Sequence, residues 1–180
     1  MKKTNKVLIL TGPGGSGKTT LAHLLVKESN FVLVDGDRED TEFFPDGGQW
    51  LSKNSKKLRL AHDKILKQTK KSFNNGKNVV VDYIIFGHYL EFFNKFSNEF
   101  GDRLVIRVLF PSEQQLVQRD KERECWTTGI KRINAVRAEF RSIKSKIGAQ
   151  NFLDTSNQSP QETFDKYFKD FKKIKLPRKS

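Results

Sequence analysis

One cysteine, Cys125, stands in the 180 residues, so no intramolecular disulfide and no zinc cluster built on several thiols is open to this chain. Long apolar runs are missing as well. No stretch approaches the length of a membrane span. The basic start Met1-Lys2-Lys3 leads into an apolar run that ends at Leu10, too short for the apolar region of a signal peptide. These absences lead to the expectation of a cytoplasmic protein that engages no membrane. Acidic residues are outnumbered: 34 Lys and Arg against 21 Asp and Glu give a net charge of +13. Such a field favours anionic partners. The lysines are scattered over several helical stretches, however, with no arginine-rich arm or RNA-binding signature. The charge therefore reads as a lysine-rich surface, with nucleic acid kept as the less favoured partner. No internal repeat or low-complexity linker divides the chain. With 36% hydrophobic residues, it suits one domain with a proper core.

What is present is concentrated in Gly12-Pro13-Gly14-Gly15-Ser16-Gly17-Lys18-Thr19, which fits the phosphate-binding pattern G-x-x-x-x-G-K-[ST]. Its flanks suit that chemistry. Val7 to Leu10 is wholly apolar, as in a strand buried on both faces of a parallel sheet. Thr19 to Lys27 follows as a helix, with Leu21, Leu24 and Leu25 at helical spacing. Glycines let successive N–H groups converge on one anion, and the helix adds the positive end of its dipole. Gly12, Gly14, Gly15, Ser16, Gly17, Lys18, Thr19 and Thr20 are thus the expected cradle for ATP. Lys18 reaches for the outer phosphates and the Thr19 hydroxyl for Mg²⁺.

The rest reads as alternating strands and helices. Phe31–Val34, Val79–Val81, Leu104–Phe110 and Asn151–Leu153 are strand-like, and residues 39–52 a loop. Helices are expected from about Lys53 to Asn74, through the aromatic stripe Tyr89, Phe92, Phe93, Phe96 and Phe100, and after Ser112. Two more carry Ile133 to Ile147 and Phe164 to Phe171. The aromatic stripe reads as core. The expectation is a three-layer α/β/α sandwich around a five-stranded parallel sheet, spanning residues 1–176, with a helical lid at about 119–131 and a basic tail at 177–180. Ligands of such sheets collect beyond the carboxyl ends of the strands.

Phosphoryl transfer needs a phosphate cradle, a metal, cations over the moving group and a carboxylate near the acceptor. Asp37 is the expected catalytic carboxylate that orients the acceptor's hydroxyl. Asp35 is assigned to the acceptor or the metal shell, with Arg38 beside it; the competing reading is an acidic cluster that caps a turn. Asp82 closes an apolar strand where a carboxylate would hold Mg²⁺, or else contacts the acceptor or caps the strand. Arg119 and Arg123, four apart on one helix, point the same way and suit triphosphate or an adenine face, although Asp120, Glu122 and Glu124 interleave with them. His23, His62 and His88 have no metal-ligand spacing and read as structural. Cys125 reads as a packing residue, and Trp126 as a water shield over the site or hinge packing.

These residues resemble the small-kinase branch of the P-loop proteins, the group containing chloramphenicol phosphotransferase, adenylylsulfate, gluconate and shikimate kinases, and polynucleotide kinase. In two of these the catalytic aspartate falls at the position of Asp37, and adenylylsulfate kinases carry a motif similar to Asp35-Gly36-Asp37. Gly76 to Asp82 is similar to the segment before the third-strand aspartate. Leu153-Asp154-Thr155-Ser156, with Ser159-Pro160, is similar to the stretch near which adenine is bound, which assigns Asp154 and Thr155 to the nucleotide. Arg119 and Arg123 match lid arginines, whereas Cys125-Trp126 stands where relatives often carry another. The Asp-Gly-Phe-Pro-Arg signature of nucleoside monophosphate kinases is absent after Asp82, and no Asn-Lys-x-Asp reads guanine. The resemblance implies an ATP- and Mg²⁺-dependent transfer to a hydroxyl of a small molecule; no obligate protein partner is evident in the sequence. A polynucleotide 5′-hydroxyl kinase and a nucleotide-dependent switch stand as the alternatives.

Overall fold

The computed structural model describes residues 5–122 and 128–171. Five strands, Val7–Thr11 (β1), Phe31–Asp35 (β2), Asn78–Asp82 (β3), Leu104–Leu109 (β4) and Phe152–Leu153 (β5), form one sheet in the order β2-β3-β1-β4-β5. Every recorded pairing is parallel. β1 lies at the centre and is buried along its whole length, which is why its sequence is apolar without alternation. Parallel neighbours cannot be joined by tight turns, so helices carry the chain across: Lys18–Ser29 (α1), Gly36–Glu39 (α2), Ser55–Asn74 (α3), Tyr89–Phe100 (α4), Glu113–Lys121 (α5), Ile130–Ile147 (α6) and Pro160–Tyr167 (α7).

Successive strand residues face opposite ways, and two cores follow from that alternation. Val7, Ile9, Val79 and Val81 pack with α3, α4 and α6, through Ile65, Phe96 and Phe140 among others. Leu8, Leu10 and Val80 pack with α1 and α7, through Leu21, Leu25 and Phe164. The chain is thus an α/β/α sandwich. Among the described residues, no helix is long and apolar enough to cross a membrane.

The stripe at 89–100 is core, as expected. Phe96 is fully buried, with its ring centroid 4.6 Å from Phe92 and 5.7 Å from Phe100. The ends of elements follow local chemistry. Ser112 accepts a hydrogen bond from the Gln115 amide and caps α5. Ser159 and Glu162 form a reciprocal capping box, with Pro160 in the first turn of α7.

One short helix was not assigned from the sequence, although an acidic cluster capping a turn stood there as the alternative. β2 runs straight into the single turn α2 within the segment Asp35-Gly36-Asp37-Arg38, and Asp35 caps it by accepting the Arg38 amide at 3.0 Å. Two residues explain the tight bend. Asp35 supplies the capping oxygen, and a Cβ at Gly36 would stand 2.6 Å from Tyr83. The expected lid at about 119–131 lies partly outside the described residues.

Replacing Phe96 by alanine removes a large ring from the middle of the α3–α4 layer. The expected loss of unfolding free energy is about 3–5 kcal/mol, read from urea denaturation curves. A loss below about 1 kcal/mol would mean that the aromatic stripe is not the core of this layer.

Candidate active site

The carboxyl ends of the strands bring the titratable groups together. In the sheet register Leu10 pairs with Asp82, and Asp82 with Asp35. The loop after β1 therefore begins beside two carboxylates. Within that loop the Ser16 amide bonds back to the Pro13 carbonyl at 3.2 Å. Lys18 is buried at 5% exposure, and its Nζ donates to the Gly12 and Pro13 carbonyls at 3.1 Å each. The loop thus wraps its own lysine, holding the cation at the head of α1.

Asp37 stands opposite. Its Oδ1 accepts the Ile84 amide at 3.1 Å, so the first turn after β2 is tied to the chain leaving β3. Dense packing around the carboxyl pushes its pKa up to about 7, against the attraction of Lys18; the negative field of Asp82 adds to the rise. A carboxyl of this kind changes protonation near neutral pH, which suits a proton acceptor. Asp82 is 3% exposed, and its Oδ1 has no hydrogen-bond partner. Burial raises its pKa too, opposed by Lys18 and by the Thr19 hydroxyl beside it. A buried carboxylate oxygen without a donor, next to a threonine hydroxyl, is a donor set that fits a hard cation such as Mg²⁺.

These groups surround a cavity of about 600 Å³, lined by residues 15–20 of the loop and helix start, by Asp35 and Asp37, and by Arg119 and Thr155. Asp82 is not among its lining residues. Arg119 Nη2 donates to the Thr155 carbonyl at 3.1 Å and so bridges α5 to the turn after β5. Thr155 is buried, and its hydroxyl has no partner. Gln158, Pro160 and Thr163, which the sequence reading did not assign, close the far wall. The only advance sign of them was the helix start at Ser159-Pro160.

Several expected residues fall elsewhere. Asp154 is exposed and does not line the cavity; its Oδ1 accepts the Ser156 amide at 2.9 Å and closes the turn. Arg38 is exposed and also outside the lining. Asp35 both lines the cavity and caps α2, so the capping role assigned as its alternative is filled. Gly12 and Gly14 shape the loop without lining this cavity. Arg123, Cys125 and Trp126 lie outside the described residues.

A second cavity, of about 470 Å³, adjoins the first. Ile84 lines both, and neighbouring loop residues divide between them, Gly15 in the first and Gly14 in the second. Trp50, Phe86, Thr128, Lys131 and Arg132 form its walls. Trp50 comes from the stretch read as an unassigned loop, which Asp40 anchors. That buried carboxyl accepts from Gln49 Nε2 and from the Tyr83 hydroxyl, both at 3.3 Å, and burial pushes its pKa up to about 6. Asp120 was likewise missed. It is 3% exposed and accepts the Thr128 and Gly129 amides at 2.9 Å each, closing the segment between α5 and α6. A Cβ on Gly14 would meet Thr128 Oγ1 at 2.4 Å, so this clasp rests directly on the phosphate loop.

The sheet order, the loop with its buried lysine and the strand-end carboxylates are those of a P-loop fold. The chain belongs to the AAA domain family, whose model (AAA_33) matches residues 7–149. A shikimate kinase from Hahella chejuensis is 54% identical over 37 residues, which is 21% of this chain and 19% of that protein. The chain thus matches about a fifth of that relative. Among solved structures, a sugar kinase from Janibacter sp. superposes with a TM-score of 0.66 at 14% identity, covering 90% of this chain and 91% of the other. A shikimate kinase from Acinetobacter baumannii in complex with shikimate gives a TM-score of 0.63 at 16% identity over 91% and 90%.

The Asp37 charge carries a stability signature with a definite sign. Its folded pKa of about 7 lies above its ordinary value of 3.8, so ionisation weakens the fold. That cost is absent below about pH 4, grows as pH rises and is complete above about 7. Asp37→Asn keeps an oxygen for the Ile84 amide and removes the charge. The variant is expected to melt higher than the parent at pH 8, with the difference vanishing near pH 4. A variant that melts lower than the parent at pH 8 would contradict the burial assigned to this carboxyl.

Proposed function

We propose that this chain transfers the γ-phosphoryl group of ATP to a hydroxyl of a small molecule. The observation that carries the reading is the position of Asp37, held by the Ile84 amide where the two cavities meet, opposite Lys18. The first cavity takes the nucleotide. Its phosphates replace the Gly12 and Pro13 carbonyls as partners of Lys18, and the loop amides and the head of α1 surround them. Arg119 and Thr155 stand on the base side.

Thr19 and Asp82 would hold Mg²⁺, which when bound neutralises charge on the phosphates. Asp37 accepts the proton of the acceptor hydroxyl as that oxygen forms a bond to the γ-phosphorus. The bond between the γ-phosphorus and the bridging oxygen breaks, and ADP leaves. A pKa of about 7 lets Asp37 take the proton near neutrality and release it afterwards. Most of the acceleration would come from alignment and charge neutralisation, as phosphoryl transfer requires.

The test offers γ-labelled ATP and Mg²⁺ with a panel of small hydroxyl compounds, nucleosides and 5′-hydroxyl oligonucleotides. Label is expected on a small-molecule acceptor. Asp37→Asn should lower transfer by a factor on the order of 10²–10⁴ while ATP affinity stays within a few-fold. Lys18→Ala should weaken both. Label reaching only water across the panel, or full transfer by Asp37→Asn, would refute the assignment.

A further inference from the structure

The second cavity carries charge of one sign. Its described lining includes Lys131 and Arg132 and no acidic residue. Arg132 lies over two rings, with its guanidinium carbon 4.7 Å from the Trp50 centroid and 5.2 Å from that of Phe86. Its Nε and Nη2 are buried without a hydrogen-bond partner, and among the described residues none of the salt bridges involves it. Glu139 is the acidic group whose field it feels, and that carboxylate already accepts the Tyr89 hydroxyl. A cation removed from water without a paired anion is costly, and an oxyanion arriving in the cavity would offset that cost. Trp50, meanwhile, remains 49% exposed at the cavity wall. An exposed indole beside a partly desolvated guanidinium offers a ligand an apolar face and a cation at once.

Resting on the phosphotransferase reading, we propose that the acceptor is itself acidic: a small hydroxyl compound whose carboxylate or phosphate pairs with Arg132 and Lys131, and whose ring or unsaturated face lies against Trp50. The shared wall at Ile84 turns such a compound's hydroxyl end toward Asp37. Cationic acceptors are disfavoured by the same two residues. The volume, about 470 Å³, suits a metabolite-sized ligand.

Ligand-observed NMR on the full chain tests this with four probes: benzoate, phenyl phosphate, benzamide and benzylamine. One of the two anions, or both, should bind at least about ten-fold tighter than benzamide, and benzylamine should bind weakest. The stronger anion identifies carboxylate or phosphate as the recognised group. Arg132→Gln should weaken anion binding by roughly ten- to a hundred-fold and leave benzamide in place. Arg132→Lys, which keeps the charge but not the planar fork, should fall between, and melting curves check that each variant folds. Equal binding of benzamide and the anions, or anion binding indifferent to Arg132→Gln, would overturn the proposal. So would displacement of bound benzoate by a 5′-hydroxyl oligonucleotide but not by small acids.

The two readings fail separately. Label transferred only to neutral or cationic acceptors would sink the acidic acceptor and leave the phosphotransferase. Anion binding that depends on Arg132, in a protein that labels only water, would do the reverse.

Discussion

The buried cation of Lys18 set against the carboxyls of Asp37 and Asp82 is the interaction on which this site depends. Both carboxyls sit where burial disfavours their charge, and Lys18 is the largest opposing influence on each. The sheet enforces the arrangement. A parallel register aligns the ends of β1, β2 and β3, so the loop lysine and the strand-end carboxylates must meet. In a site assembled this way a buried carboxylate oxygen without a donor, that of Asp82, gains from a bound cation.

Around that centre, the supporting shell is polar and buried. Tyr83 links three parts of it. Its ring passes close beneath Gly36, its hydroxyl reaches Asp40, and its carbonyl accepts the Thr11 hydroxyl at 2.7 Å. Asp37 is thereby placed by backbone packing as much as by its own hydrogen bond. On the opposite flank Asp120 ties the return of the chain at Thr128 and Gly129 to the end of α5, and Thr128 touches the phosphate loop at Gly14. Loops, which ordinarily move, are here pinned at their ends by buried carboxylates. The His62 ring, packed edge-on between Tyr83 and Phe92, extends this shell into the core; burial pulls its pKa down to about 4, so it stays neutral there.

Local signals were legible where chemistry acts over a few residues. The apolar β1, the aromatic face of α4, the Ser112 cap and the phosphate loop all read directly from spacing and residue type. Signals that depend on a distant partner were misread or passed over. Asp120 looked like one charge among Glu122 and Glu124 because its partners, the Thr128 and Gly129 amides, lie eight and nine residues away. Asp154, assigned to the nucleotide, is a different case: its Oδ1 accepts the Ser156 amide only two residues on. Trp50 and Arg132 gave no periodic cue at all, since they meet only when the stretch after α2 folds over the start of α6.

The sequence by itself determined the class of the protein: a glycine-rich loop ending in Lys-Thr has one efficient use, and an alternation of apolar strands with amphipathic helices has few stable packings. Tertiary structure alone decided which carboxylate faces the loop lysine, which residues complete the nucleotide cavity from α7, and that an aromatic and cationic cavity opens on the other side of Ile84. The reason is physical. Periodicity and propensity act along the chain within a turn or two, whereas desolvation, charge pairing and cavity shape arise between segments far apart in sequence.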